Sequence, residues 1–215
     1  VDAAILEAKR ERDDAIGSAL DVPPQPGGCQ RIARRIDLRH HDDAQRFAFF
    51  SLAALAHAQA TAFAPEVVHL HDWQTGLAAV ALARGFADSP LGAARVVTTV
   101  HNLAYQGNFS PATVDALGLP WELYTAAALE FYGQLSFLKA ALVFSDALTT
   151  VSPSYAREAQ TPEGGHGLDG VLRDRRADFT GILNGIDTVE WDPARDPHLA
   201  APFSRDELSG KERCT

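Results

Sequence analysis

The chain has 215 residues, 46% hydrophobic and 22% charged, with 19 basic and 28 acidic side chains and a formal net charge of −9. That length can bury the core of one large domain or two small ones. No window approaches the ~18 consecutive apolar residues of a membrane span, and the acidic balance speaks against a nucleic-acid binder, whose affinity comes mainly from basic side chains on phosphates. Cys29 and Cys214 lie near opposite ends and form no disulfide framework. No basic start followed by an apolar run and cleavage site is visible, so a reducing cytoplasm is the default compartment. The chain starts at Val1 and contains no methionine, which reads as something other than a natural initiation site.

Charge is unevenly spread. Residues 1–46 carry 17 charged side chains and residues 151–215 carry 20, while the 104 residues from Phe47 to Thr150 carry 10. So charge-poor a block belongs to an interior.

In chain order, residues 2–20 have the composition of a solvated, heavily charged helix. Pro23, Pro24, Pro26, Gly27 and Gly28 then break the chain into a loop or linker, and residues 30–41 are short and basic. From Asp42 or Asp43 as cap, a helix runs through Phe47, Phe50, Leu52, Leu55 and Ala58, apolar on most faces and so expected to be buried. A strand is expected over 66–70, a helix over 73–86 and a β-branched strand over 95–100. A long polar and aromatic connection leads to a helix over 136–145 and a strand over 146–152. A helix begins at Ser152 or Ser154, and a last strand covers 178–183. Strands that alternate with helices and lack in/out alternation of charge predict an α/β fold with a doubly wound parallel sheet covered on both faces.

In such a sheet ligands bind outside the carboxyl ends of the strands. Those ends carry His71, Asp72 and Trp73; His101, Asn102, Tyr105, Gln106 and Gly107; Ser152; and Asn184, Gly185 and Asp187. His69 among valines is either a core histidine bonded to a carbonyl or a ligand. Asp72 is either the cap of the helix at Trp73 or a functional carboxylate. The abrupt switch from a β-branched strand to His101-Asn102 favours function, whereas Asn184-Gly185 reads first as a turn. Trp121, Phe131, Tyr132 and Trp191 read as packing.

Two chemistries fit these residues. One is metal-dependent hydrolysis with His69, His71 and Asp72 as ligands and His101 one strand later, which requires the first strand to continue through His71. The other is group transfer on a polyhydroxylated substrate, because sugar hydroxyls call for Asp, Asn, Gln and His while a sugar face lies on an aromatic ring.

The segments HLHDWQTGLAAVAL (69–82), TTVHNLAYQGNFS (98–110), GLPWELY to SPSYARE within 118–158, and GILNGIDTVEWDP (181–193) strongly resemble, in order and spacing, bacterial glycogen synthase and plant starch synthase. The likeness runs from about Asp42 to Lys211. It implies one Rossmann-like half of a two-domain GT-B glycosyltransferase: a poorly matched segment with a Pro/Gly linker over 1–41, and the N-terminal catalytic domain over 42–211. The implied reaction is retaining transfer of glucose from an ADP-glucose donor to the non-reducing end of an α-1,4-glucan acceptor. No cofactor or metal is implied, and the expected location is cytoplasmic, or plastid in a plant. The same resemblance makes His101 the histidine that contacts the transferred glucose and stabilises developing charge. Asp72 and Trp73 match positions at the cleft on the glucan side, Asn102, Tyr105, Gln106 and Gly107 match the loop lining the sugar site, and Asn184 matches the asparagine of the LNGID stretch. It also recasts His69 and His71 as structural.

Two parts of the family pattern are missing. No Lys-Thr-Gly-Gly-Leu-type loop is matched before the first motif, and no stretch of this sequence is expected to match the second domain, with its nucleotide-binding Arg, Lys and Glu. Charge counting agrees: a sugar-nucleotide diphosphate needs fixed cations or helix N-termini, and between Phe47 and Thr150 the basic residues are Arg84, Arg95 and Lys139. The chain is therefore expected to be a fragment unable to catalyse transfer at a normal rate, with a glucan-binding module as the non-catalytic alternative.

Overall fold

A computed structural model describes residues 43–86 and 89–214. The helix expected over 2–20, the Pro/Gly linker, the basic stretch 30–41 and Cys29 lie outside the described residues. The chain divides into two compact units, one ending at Ile182 and the other spanning Leu183–Thr215.

The first unit follows the expected alternation. Helix α1 is Asp43–Ala60, strand β1 Val67–His71, helix α2 Gly76–Gly85 and strand β2 Arg95–Val100. A region not foreseen in the sequence comes next. It contains β3 (Asn108–Phe109), helix α3 (Ala112–Leu117), β4 (Glu130–Phe131) and β5 (Gln134–Ser136), the three strands forming a small antiparallel sheet in the order β3-β5-β4. Helix α4 (Phe137–Phe144), strand β6 (Ala147–Thr150), helix α5 (Pro153–Glu158), helix α6 (Asp169–Asp174) and strand β7 (Phe179–Gly181) complete the unit.

Strands β1, β2, β6 and β7 pair in that order and all in parallel, giving the α/β sheet that the alternation predicts. Parallel neighbours need a crossover, and the intervening helices supply it. Period-two burial separates the two faces of the sheet. Leu70, Val96, Thr98, Val100, Leu148, Thr150 and Phe179 are buried on one face. There they pack against Ala78, Ala79 and Leu82 of α2, Leu138 and Leu142 of α4, Ala156 of α5 and Leu172 of α6. The buried hydroxyls on this face are paired: Thr98 with Ser145 at 2.7 Å, and Thr150 donating to the Val100 carbonyl at 2.7 Å. On the opposite face Val67, His69 and Thr180 are exposed, while Val97, Thr99, Ala147 and Thr149 are half-buried among the described residues.

α1 is buried through Ala44, Ala48, Ser51, Leu52 and Leu55, a single stripe instead of most of its circumference. Phe50 points away and is 56% exposed. Helices α2 and α4 approach so closely that a Cβ on Gly76 would collide with the Phe137 carbonyl. Of the aromatics expected to pack, Phe131 is buried, but Trp121, Tyr132 and Trp191 are exposed. Trp121 instead donates its indole N–H to Asp115 at 2.8 Å and sets its ring edge against Tyr124.

Among the three central basic residues, Arg95 opens β2 at the amino end of the sheet and pairs with Asp146 at 2.9 Å, and Arg84 lies in the last turn of α2. Lys139 is buried in α4, where its ammonium donates to the Ala126 and Glu130 carbonyls, each at 2.6 Å. Burial pushes the Lys139 amine below its ordinary range, and Glu130 partly opposes the shift. This cation fastens the 126–130 segment to α4. Lys139→Met removes the charged donor shared by the carbonyls of exposed Ala126 and half-buried Glu130, and a hydrogen bond to a charged group is worth about 1.5–3 kcal/mol. Urea unfolding of Lys139→Met is therefore expected to show a loss of ~2–4 kcal/mol.

Candidate active site

The carboxyl ends of β1 and β2 lie side by side, with His71 opposite Thr99 in the register. β1 extends one residue beyond the sequence expectation, so His69 and His71 share a strand face, with ring centroids 4.3 Å apart. Past the register partner of His71, His101 is set so that its Nε2 lies 3.0 Å from His71 Nδ1. His69 turns its Nε2 to the Thr99 hydroxyl at 2.7 Å, and Thr99 in turn meets the Thr149 hydroxyl at 2.5 Å. These ring nitrogens are directed at one another and at a threonine, not at a common point. Among the described residues no three His, Cys, Asp or Glu side chains are grouped as metal ligands would be. The geometry thus gives no support to the hydrolase reading built on His69, His71 and Asp72.

Asp72 is not a helix cap. It makes no capping hydrogen bond to the short helical turn Trp73–Thr75, and its backbone stands at φ 58°, ψ −170°. That is close to a region essentially reserved for glycine. Two bonds hold it there: the Asp72 N–H donates to the Thr99 carbonyl at 3.0 Å, and its Oδ1 accepts the His101 backbone N–H at 2.7 Å. Thr75 secures the same corner, its hydroxyl accepting the His71 N–H at 2.9 Å and donating to the His71 carbonyl at 3.0 Å. A non-glycine residue held in such a conformation by its neighbours marks a candidate functional position.

The loop after β2 is fixed from several sides. The Asn102 carboxamide oxygen accepts the Ala104 N–H at 2.9 Å, a local turn that occupies this acceptor. The Tyr155 hydroxyl of α5 accepts the Leu103 N–H at 3.0 Å. Tyr105 is 66% exposed. Gln106 donates to the His166 carbonyl and accepts from Asn108, both at 3.0 Å. The Gln106 and Gly107 carbonyls accept the Leu138 and Phe137 N–H groups at 3.0 and 3.1 Å. The Ser136 hydroxyl accepts from Lys139, so the first-turn donors of α4 are all engaged. Gly107 has φ 59°, and a Cβ there would strike the Trp73 ring. That ring is itself packed against Phe47 (4.9 Å between centroids), Phe109 (5.9 Å) and Phe137 (6.4 Å).

The structure therefore brings Asp72 into direct contact with His101, and Trp73 against Gly107, with Asn102, Tyr105 and Gln106 on the loop between. Asn184 belongs to the second unit, where it is exposed. The turn expected at Asn184-Gly185 forms a few residues later, where the Asp187 carboxylate accepts the Val189 and Glu190 N–H groups at 2.8 and 3.0 Å. Those bonds hold the Asp187 carboxyl below its ordinary range. Thr75, Tyr155 and His166 enter the site without having been singled out in the sequence. Only Tyr155, two residues beyond a strand-ending Ser-Pro pair, left a signal.

Residues 34–174 match the family described as the starch synthase catalytic domain. The chain is 59% identical over 174 residues to a glycogen synthase of an Anaeromyxobacter species, covering 80% of this chain and 37% of that protein. It is 56% identical over 174 residues to the glycogen synthase of Myxococcus xanthus, covering 80% of this chain and 36% of that protein. The catalytic domain of starch synthase IV from Arabidopsis thaliana, solved bound to ADP and acarbose, superimposes with a TM-score of 0.69 at 40% identity, over 80% of this chain and 36% of its own. The chain belongs to the starch synthase family. It is thus part of a GT-B glycosyltransferase fold and spans a little over a third of the relatives it matches. Among the described residues no helix is long and apolar enough to cross a membrane.

Two measurements test the physics of the starch-synthase-like corner. Asp72→Ala and Asp72→Gly both remove the bond to His101, but only glycine relieves the backbone. Denaturant unfolding is expected to rank Asp72→Gly above Asp72→Ala by about 1–2 kcal/mol after offsetting the greater unfolded freedom of glycine. His71 titrates below its ordinary 6.5, first because of burial, then because of neighbouring His69 and His101, with Asp72 opposing. Below pH 6.5 the unfolded chain therefore binds the proton more readily than the folded one. Stability is expected to fall as pH drops from 6.5 through the lower folded value. Unfolding midpoints of His71→Phe measured over the same range should show a shallower slope.

Proposed function

We propose that this chain supplies the glucan-side part of a glucosyltransferase that moves glucose from ADP-glucose to the non-reducing end of an α-1,4-glucan with retention. His101 is the residue that meets the transferred glucose, and Asp72 holds it through its backbone N–H. Trp73 sets the Gly107 backbone, and Asn102, Tyr105 and Gln106 line the sugar site; Asn184 is assigned to substrate binding on the family resemblance alone. The domain proper spans 42–211. The observation that carries this reading is the contact between Asp72 and His101 at the carboxyl ends of adjacent parallel strands, in a chain 59% identical to a glycogen synthase. The starch synthase IV relative, solved with ADP and acarbose, supports a nucleotide and a glucan as the ligand classes.

The cations near the core support a division of labour. Lys139 is committed to two carbonyls, Arg95 to Asp146, and Arg175 to the Leu142 and Ser145 carbonyls and to Asp178. The first-turn donors of α4 are likewise engaged. A donor diphosphate would then depend on groups other than these three cations and that helix start.

The test is co-sedimentation of the purified chain with glycogen, run beside transfer of labelled glucose from ADP-glucose. Glycogen binding without transfer is expected, with Tyr105→Ala weakening binding about tenfold, the usual scale for truncating an aromatic contact. Failure to co-sediment would overturn the glucan-side assignment. Transfer that disappears in His101→Ala would overturn the dependence on other groups for the diphosphate.

A further inference from the structure

The row of rings at the carboxyl ends of β1 and β2 has a chemical consequence beyond the assignment of His101. A hydrogen bond between two imidazole nitrogens needs one ring to donate and the other to accept. The His71 Nδ1 to His101 Nε2 separation of 3.0 Å meets that requirement. The two nitrogens cannot both carry a proton, nor both lack one, without losing the bond.

The geometry points to His71 as a positioning residue for His101: its neutral ring accepts the His101 Nε2–H at Nδ1, fixing the tautomer and orientation of the His101 imidazole. The His101 Nδ1 lone pair is then the nitrogen left for a substrate, with no partner among the described residues. Around His71 the titratable groups are His69 on the same strand, His101 at the end of β2, and Asp72 next in the chain. Burial and the two histidines lower the His71 pKa and so favour its uncharged form, the form an acceptor requires. His69 limits ring rotation of His71 by lying against it at 4.3 Å and is itself tied to Thr99. Asp72 fixes the His101 main chain while His71 fixes its ring. If a positive charge develops or settles on His101, the Nε2–H still donates to the neutral neighbour, so the orientation survives protonation.

This inference rests on the reading that His101 faces the glucose, but its test does not require activity. The ring nitrogens of the uniformly nitrogen-15-labelled 215-residue chain can be assigned by long-range proton–nitrogen NMR at neutral pH. The expected spectrum shows His101 in a single Nε2–H tautomer, with a nitrogen–nitrogen coupling across the bond to His71 Nδ1. In His71→Phe the coupling should vanish and His101 should populate both tautomers, whereas His69→Phe should retain the coupling. Absence of the coupling in the unaltered chain overturns the proposal, even if His71→Phe does not fold. So does a His101 tautomer unchanged in a folded His71→Phe. A chain that shows the coupling but does not bind glycogen would leave the ring pairing standing and sink the functional reading.

Discussion

The bond from the His101 main chain to the Asp72 carboxylate is the constraint on which the site depends. It closes at 2.7 Å between the ends of two adjacent parallel strands. It forms only because Asp72 stands at positive φ, in a conformation that most residues avoid. The Thr99 carbonyl and the Thr75 hydroxyl hold the surrounding backbone so that this conformation persists. Local strain at Asp72 is thus offset by hydrogen bonds drawn from both strands and the following turn. A strand end, which ordinarily frays into loop, becomes a fixed corner from which His71, Asp72 and His101 project together.

The rest of the unit supports that corner by filling one side of the sheet. The charge-poor centre seen in the sequence is this filled side. Leu138 and Leu142 lie under the strands, Trp73 lies among phenylalanines, and the single central lysine serves as a fastener for carbonyls. The opposite side keeps the polar run His69, Thr99 and Thr149 across three strands, with their side chains bonded to one another. One sheet therefore separates an apolar interior from a hydrogen-bonded surface, and the strand ends inherit both characters.

Much of this was legible from residue types. β2 is β-branched at nearly every position and appears where composition places it, at Arg95–Val100. The alternation of elements points to the parallel sheet that forms, and the switch from strand to His101-Asn102 points to the strand end where His101 meets Asp72. What failed has physical causes. The sequence pattern ends the first strand at Leu70, yet pairing with β2 carries it through His71. Asp72 preceding Trp73 has the look of a cap, and no sequence rule reads a positive φ on an aspartate. The antiparallel strands β3, β4 and β5 are two or three residues long, too short for a periodic signal, and α3 and α6 span six residues each. The contact between His71 and His101 is a matter of strand register, which one sequence does not print. Tyr132 and Trp121 are expected to pack, since large aromatics bury much area, but a turn and a short helical turn place them outside.

The docking of the Gln106 and Gly107 carbonyls onto the start of α4 bears on how the site would respond to a ligand. A loop that ends a helix with its own backbone moves only if the helix moves, and α4 is wedged against α2 at Gly76 and seated under the sheet. The loop from Asn102 to Gly107 is therefore held rigidly against the helix. A ligand proposed to bind this loop would meet it preorganised, with its conformational entropy already lost in folding.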